Sequence, residues 1–224
     1  MSHLPNLDML DADGAIRDGA GAAGLDRGDF LKKGALAGGG LIAGSAMFGT
    51  FLSSAEAAIS TTKRSKANDA KILNYALTLE YLEAAFYKQA VANAAYGNNP
   101  ALKAFAETVA AHEAKHVSFL KGALKSAAIS SPKFDFGDTV TDPAKFAATA
   151  QVLEDTGVSA YLGQVGNIFQ APVLKAAGTI ATVEARHASW IRFINSATPA
   201  PSSFDAPKSE KAILKAVGAT GFIK

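Results

Sequence analysis

The amino-acid sequence predicts an all-α protein: a four-helix bundle of two antiparallel hairpins joined by a long crossover, behind a disordered N-terminal leader. Three observations point there. After the first 66 residues, apolar side chains recur three and four apart, the period of a helix face, with almost no strand-like alternation. Helix-start signals punctuate that pattern at Asn99-Pro100, Asp142-Pro143 and Ala171-Pro172. One aperiodic stretch, Ser126 to Asp142, is far longer than an ordinary turn between helices. With 224 residues, 49% hydrophobic and 19% charged, the chain carries enough apolar material for a core.

Residues 1–57 read as an export leader. They hold 4 Lys/Arg against 7 Asp/Glu, whereas the remainder holds 18 against 13, so the overall charge of +2 hides an acidic start and a basic body. The first 26 residues, with Asp8, Asp11, Asp13, Asp18 and Asp26 against Arg17, show no apolar face and are expected to be disordered. Next comes Asp26-Arg27-Gly28-Asp29-Phe30-Leu31-Lys32, which resembles a twin-arginine export signal with Gly28 in place of the second arginine. Lys32-Lys33, an uncharged run over residues 34–55 and the small-residue site Ala55-Glu56-Ala57 complete the signal and predict an exported, periplasmic protein. The alternative is a membrane anchor over residues 34–55, since about 20 apolar residues also span a bilayer. The basic body has no clustered basic run with interleaved aromatics, which argues against a nucleic-acid partner.

Beyond a polar linker at 58–67, the bundle is predicted over 68–197. Its first helix, about Asn68 to Ala94, carries the stripe Leu73, Ala76, Leu77, Glu80, Ala84, Tyr87, Val91 and stops at Tyr96-Gly97-Asn98-Asn99. Asn99 caps the second, whose stripe is Leu102, Phe105, Val109, Glu113, His116, Leu120, Leu124. The third, opened by Asp142-Pro143, has Ala147, Ala150, Glu154, Val158, Tyr161, Val165, Phe169. In the fourth, Val173, Ala177, Ile180, Glu184, His187, Ile191 and Ile194 share a face, and Pro199 and Pro201 end it. Short turns make each consecutive pair a hairpin. The stretch 126–142, about 55 Å if extended, can run back along helices of about 37 Å, so it can be the crossover, with Phe134 and Phe136 pinning it to the bundle. A tail at 198–224 adds a short helix at Ser209–Val217, closed by Gly218.

Six polar residues stand where apolar ones belong: Glu80, Glu113, His116, Glu154, Glu184 and His187. An isolated buried carboxylate costs several kcal/mol, so such groups are neutralised, paired or metal-bound, and no Lys or Arg lies in these stripes. Two divalent cations would balance four carboxylates. The absence of cysteine leaves carboxylates and imidazoles as the only strong ligands. Glu113-x-x-His116 and Glu184-x-x-His187 set two ligands about 60° apart around a helix and about 4.5 Å along it, within reach of one ion. The pattern also repeats: Glu80 and Glu154 each precede a tyrosine by seven residues, Tyr87 and Tyr161, and each is followed in the next helix by Glu-x-x-His. Glu83, three residues from Glu80, reads either as a carboxylate behind the ligands or as an exposed flank. His112, four residues before His116, reads as a flank residue, with approach to a metal as the alternative, and Phe105, Phe169, Trp190 and Phe193 read as core or pair-interface residues.

These motifs resemble the ferritin-like superfamily of di-iron carboxylate proteins over about 130 residues. The run Leu79-Glu80-Tyr81-Leu82-Glu83 and the leader look most like bacterial exported ferritin-like domain proteins. The resemblance implies two iron ions, or alternatively two manganese ions, with Glu80 and Glu154 as terminal ligands, Glu113 and Glu184 as bridges and His116 and His187 as terminal nitrogens. By their own positions, Glu83, Tyr87 and Tyr161 are the candidates to stand behind them, with core packing the alternative for the two tyrosines. The resemblance does not carry over a substrate, since the superfamily includes several activities; the leading expectation is oxidation of Fe(II) or another reductant by dioxygen or peroxide, with manganese catalase-like peroxide dismutation and a non-enzymatic metal-binding stress or envelope protein as the alternatives. Expected partners are metal ions and dioxygen or peroxide, a membrane only where the leader is retained, and a second copy of the chain in a homo-oligomer.

Overall fold

The computed structural model describes residues 58–224; the leader, its cleavage site and the alternative anchor at 34–55 lie outside the described residues. Among the described residues, chain contacts group 58–199 and 205–224 into one unit, and the exposed coil Ala200–Phe204 is assigned outside it. The described helices all belong to that unit.

That unit contains α1 (Lys66–Ala92), α2 (Pro100–Leu124), α3 (Pro143–Val165), α4 (Ala171–Ile194) and α5 (Glu210–Thr220), with two short 3-10 turns, Lys125–Ala127 and Gly137–Val140, in the crossover. Among the described residues no helix is long and apolar enough to cross a membrane. The starts follow from local chemistry. Ser65 accepts from Asn68 N–H and begins α1 two residues ahead of the expected start, Asn99 accepts from Ala101 and Leu102 N–H, and Asp142 accepts from Lys145 N–H. The α4 start has no side-chain cap of its own. Instead the buried Asp69 of α1 accepts from the N–H groups of Phe169 and Gln170 and from the Gln170 side chain, an anchorage across 100 residues that sequence periodicity does not reveal.

α1 packs along α2 and α3 along α4, giving the two expected hairpins. Asn74 of α1 grips the start of the crossover through Ala127 C=O and Ile129 N–H, and Asn93 donates to Val140 C=O near its end. Phe136 is buried, with its ring 5.4 Å from Phe86 and 5.6 Å from Phe134, so this aromatic pair does seat the crossover. The tail returns over the bundle: Phe134 bridges to Ile223, and Lys208 N–H donates to Ser159 C=O. A Cβ on Gly163 would meet Lys208 C=O at 1.8 Å, so only glycine permits that crossing.

Three expectations are corrected. The last helix runs through Gly218 to Thr220 and stops at Gly221, whose φ of +66° supplies the left-handed cap. α3 ends at Val165, and both Val165 and Phe169, expected on its core face, are exposed. Phe193 is 71% exposed rather than packed, whereas Phe105 is fully buried with Trp190 against it.

The core divides into two apolar clusters, and the polar residues sit at their junction. Glu113 lies between Val109 of one cluster and Leu120 of the other, Glu154 between Ala150 and Tyr161, and Glu184 between Ile191 and Ile180. A dry layer on either side therefore encloses a polar one.

Candidate metal centre

Each of the four long helices contributes to the polar layer. Glu80 of α1, Glu113 of α2, Glu154 of α3 and Glu184 of α4 are all at most 1% exposed, and His187 is 3% exposed. His116 Nδ1 lies 3.2 Å from Glu80 Oε2, 3.1 Å from Glu113 Oε2 and 3.2 Å from Glu184 Oε1. His187 Nδ1 lies 3.3 Å from Glu113 Oε1 and 3.2 Å from Glu154 Oε2. Glu113 thus turns one oxygen to each histidine, the posture of a bridging carboxylate.

The ligand atoms form two groups, each within a span of 4.8 Å: Glu80, Glu113, His116 and Glu184, and Glu113, Glu154, Glu184 and His187. Glu113 and Glu184 belong to both. Within this layer Glu113 Oε1, Glu154 Oε2, both Glu184 oxygens and His187 Nδ1 have no hydrogen-bond partner among the described residues. Leaving a buried polar atom unsatisfied costs about 1–3 kcal/mol, more for a charge, so five such atoms converging on two points call for a ligand that accepts several lone pairs at once. Oxygen-rich sets with one imidazole each match iron or manganese in donor chemistry.

Electrostatics tells the same story. Burial and then the neighbouring Glu80 charge push the Glu113 carboxyl well above the ordinary 4.5, and burial and then Glu113 do so for Glu184. At Glu80 burial acts in the same direction, but hydrogen bonds headed by that from His116 bring the net value below 4.5. His116 is pushed down by burial and lifted more strongly by Glu113, Glu184 and Glu80, ending at about 12. A positive charge among these carboxylates is strongly favoured.

Both tyrosines reach across the bundle. Tyr87 of α1 donates to Glu154 Oε1 of α3, and Tyr161 of α3 donates to Glu80 Oε1 of α1, a reciprocal exchange between hairpins. Their hydroxyls stay protonated, because burial and then the carboxylate charges raise both well above the ordinary 10.

Two residues do not occupy the helix flanks that the sequence allows them. Glu83 is 3% exposed, not a solvent-facing side chain, and burial followed by the charges of Glu184 and Glu154 pushes its carboxyl well above 4.5. Gly157, its counterpart in the second hairpin, faces both carboxylates: a Cβ there would crowd Glu184 Oε2 at 3.0 Å and meet Glu83 Oε1 at 3.4 Å, an ordinary contact. His112 is half-buried, and its Nδ1 lies 2.9 Å from His187 Nε2. Burial, then His187, holds the His112 imidazole below the ordinary 6.5. The glycine opposite Glu83 is the one sequence signal for the first; for the second the spacing of four residues to His116 is a weak signal, unrepeated on α4, which carries Val183 at the corresponding place.

No curated protein matches the chain. The model of the ferritin-like domain family matches residues 68–197, which comprise nearly all of α1 to α4 and every residue of the polar layer. Two helical hairpins with Glu and Glu-x-x-His on each, meeting at a shared polar layer across more than half of the sequence, place this chain in the ferritin-like domain family.

Proposed function

We propose that this chain is an exported di-iron protein that oxidises Fe(II), or another reductant, with dioxygen or peroxide. The observation that carries the reading is the pair of four-residue groups sharing Glu113 and Glu184. Glu80 and His116 would complete one iron position and Glu154 and His187 the other. Two bound ferrous ions would supply the two electrons that take dioxygen to hydrogen peroxide, or peroxide to water.

The side chains determine the rest. Tyr87 and Tyr161 hold the terminal carboxylates in place through the opposite hairpin, so separation of the hairpins would dismantle both positions together. The flanking apolar clusters keep water from the layer. Four carboxylates would balance two divalent cations, and the carboxyl of Glu83, the fifth, is raised well above 4.5 in the metal-free layer by burial and then by the adjacent carboxylates. With burial holding its proton, Glu83 would serve as the proton donor to an oxidant as it is reduced.

Anaerobic purification followed by metal analysis and exposure to oxidant tests the reading. Two irons per chain, oxidised together and far faster than free iron, are expected. Glu83→Gln should keep both irons and oxidise them more slowly, by about tenfold or more, as expected for loss of an acid catalyst. Iron that binds but stays ferrous as long as free iron does rejects the oxidase reading, and bound manganese with rapid oxygen release from peroxide replaces it with dismutation. Export is tested separately by the intact mass of protein from its native host, which should begin near Ala58.

A further inference from the structure

The two halves of the polar layer differ in what stands behind their histidines. His116 makes all its contacts to the layer through Nδ1, toward Glu80, Glu113 and Glu184. His187 also turns Nδ1 inward, toward Glu113 and Glu154, but its other nitrogen meets His112 Nδ1 at 2.9 Å. The His112 and His187 ring centroids are 5.2 Å apart and their planes differ by only 20°. With two ring nitrogens at hydrogen-bond distance, this places the imidazoles edge to edge rather than face to face.

We propose that His112 is a positioning residue for His187: its Nδ1 accepts the Nε2 proton of His187, selects the tautomer whose Nδ1 lone pair faces Glu113 and Glu154, and makes the His187 position the tighter of the two. The proposal rests on the metal-centre reading of the polar layer. A neutral imidazole carries one proton on its two nitrogens, so donation from Nε2 leaves Nδ1 free to ligate. His112 then carries its own proton on Nε2, and because the residue is half-buried that group can be solvated. In the second hairpin the place equivalent to His112, four residues before the ligating histidine, holds Val183, whose side chain can accept nothing from His116. Loss of a hydrogen-bond partner behind a ligating histidine commonly costs 10- to 100-fold in affinity.

Zinc alone, a diamagnetic probe without redox chemistry, distinguishes the outcomes in the full-length protein. Competition against a chromogenic chelator should resolve two unequal zinc sites in the wild type. His112→Phe should weaken one site by about 10- to 100-fold and spare the other, and His112→Asn should recover most of the loss because its amide oxygen accepts the same bond. In a His116→Ala background the effect of His112→Phe should persist; in a His187→Ala background it should vanish. Nitrogen-15 NMR of the zinc-loaded wild type should show His187 protonated at Nε2 and His112 unprotonated at Nδ1. An equal loss at both sites, no loss, failure of His112→Asn to recover, or the same loss without His187 overturns the role of His112 and leaves the metal centre standing. A wild type that takes up no zinc, iron or manganese removes the metal-centre reading and this proposal with it.

Discussion

The hairpin α1–α2 and the hairpin α3–α4 carry the same ligand pattern, and they diverge at two positions beside it. Glu83 in the first hairpin answers to Gly157 in the second, and His112 answers to Val183. The ligand groups are correspondingly alike: each has one terminal glutamate, one histidine and the shared pair Glu113 and Glu184, and each terminal glutamate accepts from a tyrosine of the opposite hairpin. What differs is the surroundings. The first hairpin supplies both the extra buried acid and the extra imidazole, and the second supplies the glycine that faces the acid and Glu184 and the histidine that meets the imidazole. In the proposed reading the near-symmetry would serve the holding of two ions, and the asymmetry would distinguish the protons and the affinities around them.

The largest effect should come from residues common to both halves. Glu113→Ala or Glu184→Ala removes an oxygen donor from both groups, so bound metal should fall by more than about 100-fold, beyond the loss expected for an outer partner, with helix content retained. Metal analysis and far-UV circular dichroism check this. Normal stoichiometry in both variants would mean that the halves do not share these carboxylates.

Gly157→Ala sharpens the asymmetric side of the comparison. Alanine is favoured over glycine within a helix by about 1 kcal/mol, yet its Cβ would stand 3.0 Å from Glu184 Oε2 and press on that carboxylate. Metal affinity should drop about tenfold while thermal stability of the metal-free chain holds or rises, an opposition that a general folding defect cannot produce. Chelator competition and thermal unfolding measure the two sides.

Tyr87→Phe and Tyr161→Phe address the symmetric side. Each removes one hydrogen bond to a buried carboxylate, a loss of about 1.5–3 kcal/mol, and the equivalence of the hairpins predicts similar losses in denaturant unfolding of the metal-free protein. A disparity of about twofold or more between the two losses would show that the terminal glutamates are held differently.

The smallest effect is on pH dependence. Glu83, Glu113 and Glu184 have carboxyls raised above 4.5 in the folded chain, so between 4.5 and those raised values the folded state binds more protons than the unfolded one. Their contribution therefore grows as pH falls through that window and is lost as pH rises. His116, lifted to about 12, contributes fully below 6.5 and loses that contribution progressively as pH climbs from 6.5 to about 12. Glu80, lowered, acts oppositely, its contribution present above 4.5 and lost below its folded value. The melting temperature of the metal-free protein should rise modestly from about pH 8 to about pH 5.5, and metal loading should flatten the trend.

Much of the fold and of the candidate site is legible in the sequence by itself, for reasons visible in single residues. Asn99-Pro100 and Asp142-Pro143 state where helices begin through local capping chemistry, which needs only neighbours along the chain. Glu80, Glu113, Glu154 and Glu184 stand out because a helix period assigns each of them to an apolar face, and Glu-x-x-His spacing joins a histidine to two of them. Those inferences require a pattern within one helix and nothing more.

Tertiary structure alone decided the features that depend on what lies opposite. A residue three positions from a core position sits at the edge of the helix face, and whether that edge is wet depends on the neighbouring helix. Glu83 is buried on a side where Gly157 of α3 faces it, and His112 meets a nitrogen of His187 on α4. The reach of Glu113 to a histidine on another helix and the exchange of tyrosines between hairpins are likewise pairings between residues far apart in the chain, up to 81 positions for Tyr161 and Glu80. Helical period specifies an angle about one axis; only the packing of four axes specifies which groups those angles bring within hydrogen-bond distance.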